Sequence, residues 1–400
     1  MVLRVVRESV AIATTYAVFD RRPVDLSVNC GLLKWCMQAT RTAESITNLS
    51  GFDAEAVIFT NLPKHISGAV CTSPKRPVLL PLDTGLIDAA HNFVLAVHNR
   101  TVTKGSRGLT SKMAFLMKWE ALRHTEYAAI IHIDIDVDLL LFWPLSNGPA
   151  WSPDGPWRRL HTVPPKKGTW AYASWRYTWG TLLPHFVRAP GEQMVTSHDF
   201  ATPISAAIMV LKPSNSTYNT GLNVLRTRRW HPQRGFNDSG SPREVVDEEA
   251  LTRRSSVMNT SNSWKFTGGD ADQGLLVHVF MGVLRSVGHR DSDDPWNNGR
   301  PPPTCADCLG GSRSAVRRPW LSRWHAKHFW AGDKPWLPGK SCLPYFDFVD
   351  DAVADLPMPS GRWPECLRRA VASRDNLIRW MRRSNGTGHF RCRGPWVPIL

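Results

Sequence analysis

What this chain lacks narrows its class before anything it holds does. No stretch approaches the roughly 18 consecutive apolar residues of a membrane span. Met1 to Val10 is too short and too charged for a signal peptide, so at face value a soluble protein is expected. No internal repeat is visible, which sets repeat architectures aside. Acidic residues are in deficit, 34 against 49 Lys and Arg, and the resulting charge of +15 favours an anionic partner. The features that would make this partner a nucleic acid are missing too. There is no RNP-like motif, no paired Cys/His finger and no lysine-rich block, and the 18 tryptophans are scattered along the chain. The eight cysteines carry little signal: Cys305 and Cys308 form one CxxC in a Pro- and Gly-rich loop, with Cys342 and Cys366 downstream but no second close pair. A loop disulfide or free thiols therefore outrank a four-ligand zinc site.

What is present is ample material for a core. Four hundred residues, 42% of them hydrophobic, suffice for one large domain or one domain with an appendage. The stretch Tyr127 to Leu145, YAAIIHIDIDVDLLLFWPL, sets an apolar run against three aspartates at alternate positions. In an extended strand Asp134, Asp136 and Asp138 would share one face, with Ile133, Ile135 and Val137 on the other. Same-face neighbours about 6.6 Å apart repel by about 2.5 kcal/mol per ionised pair at an effective dielectric of about 20. Something must neutralise them, and a divalent cation that takes hard oxygen ligands and grips a diphosphate suits Asp-x-Asp leaving a buried strand. The alternative is a solvated strand end with one carboxylate protonated.

Along the chain, SVAIATTYAVF is an apolar stretch, followed by a helix through Leu32 to Ala39 and a second strand at Ala56 to Leu62. Strand, helix, strand at this spacing predicts the nucleotide-binding half of an α/β fold with a parallel sheet. Pro74, Pro77 and Pro81 predict a loop over residues 72–83. Ser111 to His124 reads as a helix with Met113, Leu116, Met117 and Leu122 on one face, leading into the aspartate strand. Residues 146–200 are irregular and rich in Trp and Pro. Trp170, Trp175 and Trp179 would there either stack on sugar rings or pack an insert. PISAAIMVLKPS is a strand ending at a proline, and Tyr218 to Arg228 is helix-like. Residues 231–263 and 291–319 read as further insertions. In GGDADQGLLVHVF two glycines lead into an apolar helix, placing Asp272 and Gln273 near its start, where they cap it or reach into a site. Asn48, Asn99, Asn215, Asn237, Asn259 and Asn385 each open an Asn-x-Ser/Thr triplet. These would suit a Golgi-lumenal protein whose anchor is missing from this sequence; otherwise the cytoplasm is expected.

Four of these stretches together resemble the glycogenin-like members of glycosyltransferase family 8, enzymes with a GT-A fold. EYAAIIHIDID resembles the family's strand into its DxD metal motif, and PISAAIMVLKPS resembles its FNSGVFVxxPS. DQGLLVHVF resembles its DQGLLNxFF, and HFWAGDKPW has the spacing of HFxGxxKPW. They occur in the family's order and span roughly residues 8–336. The resemblance implies one α/β GT-A domain over residues 1–344, a Rossmann-like, mainly parallel sheet flanked by helices and carrying those insertions. Residues 345–400 would be a C-terminal appendage.

The resemblance also implies a site. Asp134 and Asp136 match the DxD from the upstream side, whereas alignment back from Pro144 selects Asp136 and Asp138, so Asp136 is common to both. His328 matches the third metal ligand, an imidazole beside carboxylates, a set that suits manganese, with magnesium as the alternative. His325 lacks the distance to the KPW triplet. Lys334 matches the lysine that neutralises the departing diphosphate, and Gly332 lets the backbone approach a phosphate. Asp272 and Gln273 would orient the sugar. Thr14 and Tyr16 stand where the family holds the nucleobase. Lys112 and Lys118 both suit the basic residue that precedes the DxD, Lys118 with the better spacing to Tyr127. Ser205, Ala206 and Ala207 replace the family's Asn-Ser-Gly at the sugar, which leaves donor preference open.

The implied activity is retaining transfer of a sugar from a UDP-sugar to a hydroxyl of a glycan or protein acceptor, with homodimerisation left open. The chain's six tyrosines offer no basis for choosing one as a self-glycosylated acceptor. A catalytically inactive sugar-nucleotide-binding relative would explain the Ser-Ala-Ala departure. A basic nucleic-acid-binding protein would explain the charge but leaves the acidic strand and HFWAGDKPW without purpose.

Overall fold

The computed structural model describes residues 8–19, 30–62, 77–98, 107–135, 137–138, 178–196, 204, 206–230, 236, 270–284, 286 and 327–328. The segments expected as an insertion at 291–319 and an appendage at 345–400 lie outside these.

Two apolar runs start the fold. In β1 (Ser9–Tyr16) the residues Val10 to Ala13 are fully buried, as a strand covered on both faces must be. β1 runs parallel to β2 (Asp53–Thr60), from Ser9 opposite Asp53 to Tyr16 opposite Thr60. Between them lies α1 (Cys30–Ser50), longer at both ends than the predicted Leu32 to Ala39. It stops where the Ser50 hydroxyl donates to the Ile46 carbonyl and Gly51 takes φ +79°, a left-handed turn that glycine enters without a Cβ clash. The predicted loop at 72–83 contains a strand, β3 (Val78–Pro81), parallel to β2. It is four residues long and lies at the sheet edge, where a proline needs to donate no ladder bond. A helix not foreseen from the sequence follows, α2 (Thr84–His98).

The predicted helix at 111–124 is two elements. α3 (Arg107–Leu116) tightens into a 3₁₀ segment, Met117–Arg123, of which Met117 to Leu122 are buried. It delivers the chain to β4 (Ala129–Ile133), every residue of which is buried and which lies beside β1, Val10 opposite Ala129. Residues 178–196, read from sequence as irregular, hold a π-helical turn (Thr178–Leu182), α4 (Leu183–Arg188) and β6 (Met194–Thr196). β7 (Ile208–Leu211) inserts antiparallel between β4 and β6. Ser214 then caps α5 (Asn215–Thr227), its hydroxyl accepting from the Thr217 amide at 3.3 Å. α6 (Asp272–Leu276) continues as a π-helical turn, Val277–Val283.

The sheet order is β3-β2-β1-β4-β7-β6, with β7 alone reversed. This is the expected α/β class: a Rossmann-like, mainly parallel sheet flanked by helices. Alternate strand residues feed two cores. Ala11, Ala13, Val57, Phe59 and Ile130 meet α2, α3, the 3₁₀ segment, α5 and the 272–283 helix; Val10, Ile12, Ile58 and Ile131 meet α1, Trp179 and α4. A second ladder pairs β5 (Val137–Asp138) antiparallel with β8 (Lys327–His328). Among the described residues no helix is long and apolar enough to cross a membrane.

Candidate active site

The 3₁₀ segment exists because its residues are pulled in opposite directions. On one side Glu120, with no exposed surface, accepts from Arg123 Nε at 2.6 Å and, through its second oxygen, from the Asp83 amide at 2.9 Å. Tyr218 donates its hydroxyl to Asp83 Oδ2 at 2.8 Å, which pins α5 to the same knot. On the other side Lys118 is drawn towards the carboxyl ends of the parallel strands, the end of an open α/β sheet where ligands bind.

There the Lys118 ammonium has three acceptors for its three hydrogens: Asp134 Oδ2 at 2.8 Å, Asp272 Oδ2 at 2.9 Å and the Ala206 carbonyl at 3.1 Å. Burial would push this ammonium down. The two carboxylates outweigh that cost and hold it above its ordinary range, so it stays charged. One lysine thus joins three segments that are distant in sequence: the end of β4, the stretch before β7 and the start of α6. Asp134 itself is tied down by its amide, which donates to the Ala207 carbonyl at 2.9 Å. Asp272 opens its helix, and its Oδ1 accepts the Gln273 amide at 3.0 Å.

The three aspartates do not occupy one continuous strand. β4 ends at Ile133, residue 135 lies in a turn, and the chain resumes as β5 only at Val137. Of the three, Asp134 is neutralised by a lysine, Lys118. The turn carries 137–138 against 327–328, with Val137 opposite His328 and Asp138 opposite Lys327. For Asp138 and His328 this fixes backbone position only. Asp136, Ser205, His325, Gly332 and Lys334 lie outside the described residues, and among those described no three metal-ligating side chains gather.

Thr14 and Tyr16 stand at the same end of the sheet but turn towards the α1 side with Val10 and Ile12, away from Lys118. The Thr14 hydroxyl is buried without a hydrogen-bond partner. Lys112 is engaged elsewhere, in an ion pair with Asp270.

One residue near Lys118 went unread in the sequence. His132 is fully buried on the face shared with Ile130, its Nε2 2.9 Å from Thr15 Oγ1 and its Nδ1 unpartnered. Burial, then the nearby Lys118 charge, holds this imidazole well below its ordinary value, hence neutral. Its signal was a polar residue amid the isoleucines of IIHI.

Fold and site together define an α/β protein with a buried lysine–dicarboxylate cluster at the ligand-binding end of its sheet. No protein-family model matches the chain, and no curated protein does. Among solved structures it is similar to the crystal structure of mouse xyloside xylosyltransferase 1 in its apo form. The identity is 12% and the TM-score 0.34, over 80% of this chain and 97% of that one. That likeness is too loose to bear any inference.

Proposed function

We propose that the chain is a retaining glycosyltransferase that moves a sugar from a UDP-sugar to an acceptor hydroxyl with the help of a divalent cation. The observation that carries the reading is the meeting of Lys118, Asp134 and Asp272 at the carboxyl end of the sheet. The pairing of 137–138 with 327–328 supports it. Asp136, with Asp134 or Asp138, and His328 would hold manganese or magnesium. Carboxylate oxygens beside an imidazole fit such an ion, and a cation there would offset the charge building on the diphosphate. Lys118 holds Asp134 and Asp272 in place before substrate arrives, so no reorganisation is needed during the reaction. In this reading Asp272 and Gln273 orient the sugar, Gly332 and Lys334 meet the leaving diphosphate, and Thr14 and Tyr16 take the nucleobase.

A panel of UDP-sugars incubated with and without manganese tests this. Release of UDP that depends on the metal is expected, and Asp136→Ala should abolish manganese-dependent UDP binding in calorimetric titration. Unchanged affinity in that variant would sink the metal assignment. Lys334→Ala should lower turnover more than donor affinity, because its partner charge develops only as the diphosphate departs. A protein that binds UDP-sugar but releases no UDP would instead be the inactive relative that Ser205-Ala206-Ala207 suggests.

A further inference from the structure

The asparagine triplets remain unused by the site. The chain holds 16 asparagines and 56 serines and threonines in 400 residues, so composition alone would supply about two Asn-x-Ser/Thr triplets; six stand. The two on described residues, Asn48 and Asn215, are both exposed.

Their positions in the fold are alike. Asn48 lies in the last turn of α1, five residues before β2 begins at Asp53. That is the sheet end marked by Ser9 opposite Asp53. Asn215 is the first residue of α5, four residues past Leu211. Because β7 is reversed, Leu211 lies opposite Ile130 near the start of β4. Both asparagines therefore crown the amino end of the parallel strands, whereas Asp134 follows the carboxyl end of β4. A bulky group on either one leaves the Lys118 cluster open. A third observation bears on compartment: Cys36, fully buried in α1, is disulfide-bonded, and disulfides persist where the surroundings are oxidising.

We propose that Asn48 and Asn215 are N-glycosylated and that the chain folds in an oxidising lumenal compartment. The co-substrate is a lipid-linked oligosaccharide diphosphate. The asparagine Nδ2–C1 bond forms, the C1–O bond to the diphosphate breaks, and a proton leaves the amide, with no change of oxidation state. Transfer precedes folding, because the triplet hydroxyls that glycosylation reads are occupied in the fold. Ser50 donates to the Ile46 carbonyl at 2.7 Å, and Thr217 donates to Gln193 Oε1 at 2.7 Å.

The full chain, purified from the cells that make it, should be treated with a peptide-N-glycosidase in heavy-oxygen water and mapped by mass spectrometry. Label is expected at residues 48 and 215, and Asn48→Gln and Asn215→Gln should each remove one glycan-sized step on a gel. Both variants should keep UDP release and thermal midpoint within error of the parent. Unlabelled asparagine at both positions overturns the proposal, and if such protein still releases UDP it does so without touching the sugar-transfer reading.

Discussion

A buried ammonium keeps its proton only while its carboxylates remain, and the dependence is mutual. Lys118→Met would leave Asp134 and Asp272, 23% and 11% exposed at their side chains, without their shared cation. Breaking a buried pair in this way costs about 3–5 kcal/mol. Urea unfolding should show a loss of that size, and Lys118→Met combined with Asp272→Asn should recover part of it. A single-variant loss below about 0.5 kcal/mol would mean that the triad is not held together as described. Thr14 offers the opposite case. Its buried hydroxyl has no partner, so Thr14→Val exchanges an unsatisfied polar atom for a methyl of similar shape and should be neutral or stabilising. If Thr14 serves the nucleobase, the same variant should weaken UDP binding in titration while the thermal midpoint holds or rises.

At the scale of elements, α5 and the 3₁₀ segment approach each other closely at Gly221. A Cβ built on Gly221 would lie 2.2 Å from the Trp119 ring, whose Nε1 donates to the Tyr218 carbonyl at 3.0 Å. Alanine in place of a mid-helix glycine normally gains about 1 kcal/mol of helix propensity. Here overpacking of about 1–3 kcal/mol or more opposes that gain and wins. Gly221→Ala should lower the thermal midpoint and loosen the segment that carries Lys118; a higher midpoint would contradict the packing.

Elements were legible where one periodicity ruled. The apolar runs of β1, β2 and β4 and the Pro-terminated β7 could be read as strands. β3 was hidden because its flanking prolines are loop signals unless the strand is known to be at an edge. α2 was readable from Leu86, Ala90, Phe93 and Val94 and was missed. The change from α to 3₁₀ at Met117 was not readable, because its causes, Glu120 to Asp83 and Lys118 to Asp272, span long separations. The turn at residue 135 escaped for a related reason: alternating aspartates look like continuous strand until a partner at 327–328 pulls the chain aside.

At the scale of the molecule, three histidines among the described residues set a pH window. Burial holds both the enclosed His132 and the half-buried His278 low, helped by the charges of Lys118 and Arg228 respectively, His278 down to about 4, so each penalises the fold once the unfolded chain begins to take up protons. That stability is present above about pH 6.5, the unfolded value, and is lost as pH falls towards the folded values. His124 acts oppositely. Burial would depress it, but Glu120, 3.3 Å from Nε2, and Glu126, 2.9 Å from Nδ1, raise it above its ordinary value. Its contribution is complete below about pH 6.5 and is lost as pH rises through the raised folded value. Thermal midpoints across a pH series should fall on both sides of a near-neutral maximum, and His124→Gln should flatten only the alkaline limb. An unaltered alkaline limb would rule out His124 as its cause.

The reversed strand also dictates how the chain must assemble. β3, β2, β1 and β4 are complete once residue 133 has been made, a four-stranded parallel sheet with β4 at its edge. β7, the strand that covers this edge, ends at Leu211, and Asp272 comes later still. At a synthesis rate of about 5–20 residues per second, β4 waits roughly 4–16 s for β7, and Lys118 waits about 8–30 s for its second carboxylate. Through that interval the nascent chain presents β4, apolar but for His132, with one edge unpaired. Aggregation on the ribosome, and the need for a chaperone there, are concentrated between the emergence of β4 and that of β7.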